Sequence, residues 1–113
     1  MVYFTQLIYL KEGQEAAFDE FEAIAIPLID KYNGRLLLRI RPDDSAFIEY
    51  QGEKPYEIHL VAFDSEADFQ RFARDEERKK FLHLKEQSIR NCLVMKKALL
   101  PVLWTAGKDI LKP

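Results

Sequence analysis

Three side chains in this 113-residue sequence have the types needed to hold an anionic organic group: the amide of Gln6, the guanidinium of Arg39 and the imidazole of His59. A guanidinium offers a planar fork of donors, an imidazole a donor and an acceptor, and an amide one of each. Together in a partly dry cavity they would suit a carboxylate or an enolate. Glu57 and Arg41 stand close enough in sequence to join them. The same residues have a purely structural use. Arg39 and Glu57 could form a cross-strand ion pair at an interface between two copies, with His59 hydrogen-bonded beside them.

The remaining candidates carry less. His83 lies among Lys79, Lys80 and Lys85 and reads as a surface residue. The two histidines and Cys92 have no metal-ligand spacing, so no metal is expected. No base neighbours Cys92, which reads as a small core residue. Gly13, Gly34, Gly52 and Gly107 each stand alone at turns, so no phosphate-cradling loop is present, and no cofactor is expected.

The candidates must be positioned by strands. Val2 to Leu10 is rich in Tyr, Phe, Thr, Ile and Val and alternates Tyr3, Thr5, Leu7 and Tyr9 with Phe4, Gln6, Ile8 and Leu10. Gln14 to Tyr32 is a helix, with Ala17, Phe18, Phe21, Ile24, Ala25, Leu28 and Tyr32 on an apolar stripe and Asp19, Glu20 and Glu22 largely elsewhere. Pro27 should kink it, and Asn33-Gly34 should end it in a left-handed turn. Arg35 to Arg41 is a second strand, with Leu36, Leu38 and Ile40 on one face and Leu37 among arginines on the other. Ala46 to Tyr50 is a short extra strand in a hairpin-like connection. Pro55 to Phe63 is the third main strand, setting Tyr56, Ile58, Leu60 and Ala62 against Glu57, His59, Val61 and Phe63.

Ser65 with Asp68 opens a second helix carrying Phe69 and Phe72. A further helical piece runs from Asp75 to about Ser88, its Arg78, Lys79, Lys80 and Lys85 forming a solvated face. A last strand covers about Cys92 to Lys96. The domain is 1–97; a tail, 98–113, contains Leu100, Leu103 and Trp104 and should dock on the domain or on a partner subunit.

The totals exclude several classes. With 48% hydrophobic residues the chain can build one core, and Lys plus Arg at 17 against Asp plus Glu at 19 leaves no basic nucleic-acid footprint. The lone cysteine, Cys92, excludes an internal disulfide and fits a reducing compartment. No apolar run reaches the ~18 residues of a membrane span, and Met1 to Leu10 has no signal-peptide pattern. The expectation is a cytoplasmic protein with no membrane and no nucleic-acid partner.

The order β-α-β, β-α-β predicts an α+β, ferredoxin-like βαββαβ domain: a four-stranded antiparallel sheet with its helices on one face. The wholly apolar faces of the second and third strands should lie under the helices. Their mixed faces, with Arg39, Glu57 and His59, should then be covered by a second copy, giving a homodimer joined sheet to sheet. Tyr32-Asn33-Gly34-Arg35 leading into Leu38-Arg39, then Glu49, Phe63-Asp64-Ser65 and Phe81, resemble the dimeric α+β-barrel superfamily and, within it, a domain-of-unknown-function family of about this length.

The resemblance implies the strand order four-one-three-two, which would set Gln6, His59 and Arg39 on neighbouring strands. It also implies a small organic ligand in a cavity between sheet and helices. Some members of the superfamily degrade haem with an Asn on the first strand and a Trp and His on the second helix. Here Gln6 stands in place of the Asn and no Trp precedes His83. Three functions remain open: a small-molecule binder, a structural or interaction module, and a cofactor-free monooxygenase-like enzyme acting on a substrate beside His59.

Overall fold

The computed structural model describes residues 1–98. The tail residues, 99–113, and with them the docking expected of Trp104, lie outside the described residues. Four strands, β1 (Val2–Leu10), β2 (Gly34–Ile40), β3 (Glu57–Phe63) and β4 (Ile89–Ala98), form one sheet in the order β2-β3-β1-β4. Every neighbouring pair is antiparallel. Between β1 and β2 runs α1 (Glu15–Lys31); between β3 and β4 lie α2 (Glu66–Ala73), α3 (Glu76–Lys80) and α4 (Leu82–Ser88). This is the ferredoxin-like arrangement expected. Among the described residues no helix is long and apolar enough to cross a membrane.

The local signals act largely as their chemistry requires. α1 continues through Pro27, an exposed position, and Asn33 takes the left-handed backbone, φ 59°, that turns the chain into β2. The Ser65 hydroxyl caps α2 by accepting the Asp68 N–H at 3.1 Å. Asp75 caps α3 by accepting the Arg78 N–H at 3.0 Å. The helical piece expected from Asp75 to Ser88 is broken at Phe81 into α3 and α4. No strand forms over Ala46 to Tyr50; a 3-10 turn at Asp44–Ala46 leads into bends instead.

A larger correction concerns the sheet faces. Glu57, His59, Val61 and Phe63 are buried under the helices, whereas Ile58 and Leu60 face away from them. In β2 the register slips between Leu36 and Leu38: Leu36 opposes Val61, but Leu38 opposes Leu60. Leu37 is the extra residue of a β-bulge. The bulge sends Leu36 inward and Leu38 and Ile40 outward, so the apolar face expected to be continuous is divided. The face left uncovered is therefore not the mixed one but an apolar one. Directly opposed residues share a face, and two rows cross it: Leu38-Leu60-Thr5-Met95 and Ile40-Ile58-Leu7-Leu93.

The inner layer holds two separate clusters. Val2, Phe4, Ile29, Val61 and Phe63 form one, with Phe69 and Phe72 packed on it. Phe21, Ala25 and Leu84 form the other. The first closes tightly over Gly34, where an added Cβ would lie 2.6 Å from Ile29 Cγ2 and 2.6 Å from Phe63 Cε1. Gly34→Ala is expected to destabilise the fold by about 2 kcal/mol, an overpacking cost measurable by urea unfolding. An unchanged midpoint would show that the β2 entry yields freely.

Candidate functional site

β2, β3, β1 and β4 bring Arg39, His59, Gln6 and Val94 into one row across the inner face of the sheet. The three sequence candidates thus share a face and a level. The Glu57 carboxylate, 1% exposed, lies in the neighbouring row. It accepts from Arg39 Nε at 2.8 Å and Nη2 at 3.2 Å, from Arg41 Nε at 3.0 Å and again from the Arg41 guanidinium. His59 Nε2 lies 2.7 Å from Glu57 Oε1. Burial pushes the Glu57 carboxyl up, but the hydrogen bonds from Arg39, His59 and Arg41 outweigh it and hold the group below its ordinary range. His59 is held below its ordinary value by burial, against the pull of Glu57. The ion pair of Arg39 with Glu57 therefore exists, but beneath α1 rather than between two sheets.

A cavity of about 290 Å³ lies between this face and the helices, walled by members of both core clusters. Phe4, Phe21, Phe63, Phe69 and Phe72 are among its apolar lining; Gln6, His59, Glu22, Arg78, Lys85 and Cys92 supply the polar part. Arg39 is not among the lining residues. It borders a shallower surface pocket with Asp19, Arg41 and Glu57, on the far side of the Glu57 carboxylate.

Glu22, Arg78 and Lys85 are the residues that sequence reasoning missed. Glu22 is 8% exposed on the buried face of α1, between Phe21 and Ala25. Its position four residues after Phe18 and three before Ala25 lies on the apolar stripe, which was the available signal. Burial, the first cause, together with the nearby Glu57 carboxylate raises Glu22 to about 7, against the opposing fields of Arg39, Lys85 and Arg78. Arg78 and Lys85 are half-buried rather than solvated, and burial lowers both. Arg78 Nε has no hydrogen-bond partner among the described residues. His83, by contrast, is exposed, with its ring near Phe81. Among the described residues no group of three His, Cys, Asp or Glu could hold a metal ion.

Two carboxyls with opposite shifts make opposite contributions to stability. Glu22 is raised, so its unfolded form ionises first, and stability falls as pH climbs from 4.5 to about 7. Glu22→Gln should abolish that decline, worth about 3 kcal/mol, in urea unfolding across this range. Glu57 is lowered, so its contribution is present above its ordinary value and lost as pH falls through the folded one. Glu57→Gln should cost about 3 kcal/mol at neutral pH, because Arg39, Arg41 and His59 lose the charge they surround. A loss within experimental error would show that the two arginines find water instead.

No protein-family model matches the chain, and no curated protein matches it significantly. Solved structures do. A protein of unknown function from Rhodopseudomonas palustris has a TM-score of 0.74 at 15% identity, over 88% of this chain and 83% of that one. A dimeric ferredoxin-like protein of unknown function from Jannaschia sp. has a TM-score of 0.65 at 19% identity, over 87% and 98%. A dabb family protein with a ferredoxin-like fold from Mesorhizobium loti has a TM-score of 0.61 at 13% identity, over 88% and 96%. At such identities the likeness is one of fold, and it places this chain among the ferredoxin-like α+β domains.

Proposed function

We propose that the chain binds a small organic molecule in the cavity between sheet and helices, and that two copies join through the open face of the sheet. The cavity carries the reading. A domain with only a structural role would fill such a space with side chains at normal packing density. Here about 290 Å³ is left between two apolar clusters, and Gln6, Glu22, His59, Arg78 and Lys85 converge on it. An apolar body with a few converging polar groups is the usual form of a ligand site. In this reading Gln6 and His59 touch the ligand. Arg39 is a positioning residue, acting through the Glu57 carboxylate that His59 also meets.

The dimer rests on the outer face. Leu38 is 44% exposed, Ile40 40%, Leu93 51% and Met95 51%, on rows that cross all four strands. An apolar patch of this extent is uncommon on a monomer. A second copy offers the same patch across a two-fold axis, and the ferredoxin-like protein from Jannaschia is described as dimeric.

Native mass spectrometry of gently purified protein tests both parts. The expected result is a dimer carrying an additional small mass, reduced in His59→Ala and Gln6→Leu. A dimer without added mass in any preparation would favour an interaction module without chemistry. Leu38→Lys combined with Leu93→Lys should shift sedimentation from dimer to monomer, each buried ammonium costing several kcal/mol. A double variant that remains dimeric would move the interface elsewhere.

A further inference from the structure

The cavity contains more charge than the binding of a neutral molecule needs. Glu22 from α1, Arg78 from α3 and Lys85 from α4 all line it and lie within each other's electrostatic reach. Arg39 on β2 and Glu57 on β3 also act on Glu22, and His59 and Cys92 complete the titratable lining. Glu57 is fully hydrogen-bonded, whereas Glu22 is held by charge and burial alone. Arg78 donates from Nη1 to the Ala73 carbonyl at 3.3 Å, but its buried Nε has no acceptor among the described residues. A buried donor without an acceptor is costly, and Arg78 is one of the residues that line the cavity.

Resting on the cavity reading above, we propose that the ligand is an organic anion taken up together with a proton, the anion held by Arg78 and Lys85 and the proton carried by the Glu22 carboxyl. The charges require this coupling. With Glu22 ionised, the three side chains sum to one positive charge, and an entering carboxylate or phenolate is drawn to the two cations. That anion then stands near Glu22 and repels its negative form, raising a carboxyl already at about 7. One proton moves onto a Glu22 oxygen, from solvent or from the ligand's own acidic O–H, and no other bond changes. The aromatic walls, with Phe4, Phe21, Phe63, Phe69 and Phe72, favour a flat body of one or two rings within about 290 Å³.

Isothermal titration calorimetry with 2-naphthoate near pH 7, in buffers of different ionisation enthalpy, reads the proton directly. The expected result is uptake of a substantial fraction of one proton per ligand, with naphthalene-2-carboxamide at least about tenfold weaker and without uptake. Glu22→Gln should tighten naphthoate several-fold and abolish the uptake. Lys85→Met and Arg78→Met should each weaken it by about tenfold or more; the lysine variant removes a buried cation and is expected to fold. Equal buffer dependence in the parent protein and Glu22→Gln overturns the proton assignment. Carboxamide binding as tight as naphthoate overturns the anion assignment and leaves the cavity reading standing. No binding of either probe, with no added mass in native mass spectrometry, overturns both.

Discussion

The burial of one carboxylate, that of Glu57, constrains the rest of the sheet. At 1% exposure it would be too costly unpaired, so β2 and the residue that follows it must deliver Arg39 and Arg41 to the inner face. Regular alternation from Leu36 would not do this. It would set Leu38 opposite His59 and turn Arg39 outward with Ile58. The bulge at Leu37 slips the register by one residue, and Arg39 comes to oppose His59. One extra residue thus satisfies Glu57, orients His59 and places two guanidiniums beside α1.

The same slip determines the outer surface. Once the arginines turn inward, Leu38 and Ile40 turn outward and continue the rows of Leu60, Ile58, Leu7, Leu93 and Met95. Glu57, His59 and Arg39 thus lie between sheet and helices beside the apolar core, and an apolar patch faces out. A domain built this way is suited to bury its sheet against another copy and to keep its polar groups for what enters the cavity.

Glu22 and Glu57 show how environment divides identical groups. Both are buried and both feel Arg39. Glu57 accepts hydrogen bonds from three side chains and stays ionised; Glu22 has charges nearby but no donor in contact among the described residues, and burial prevails. A satisfied carboxylate is an anchor for its neighbours. One raised to about 7 beside two half-buried cations is a group whose charge changes near neutral pH.

Much of the architecture was legible in the sequence because it rests on local chemistry. The alternation of β1, the stripe of α1, the Asn33 turn and the Ser65 cap each depend on residues within a turn of one another. That Gln6, Arg39 and His59 would sit on neighbouring strands followed from the strand order that the resemblance implied, which the sheet adopts; their common level is set by the bulge. Which face of β3 the helices cover was not legible. Alternation sorts residues onto two faces without saying which is inside, and Glu57 and His59 argued for the outside. The inward choice is stable only because Arg39 and Arg41, distant in sequence, arrive through a bulge that no periodicity announces. The cavity belongs to the tertiary structure in the same way. Two clusters that do not merge leave a gap, and Glu22, Arg78 and Lys85, read from sequence as solvated charges, become its lining because three helices close over one side of the sheet.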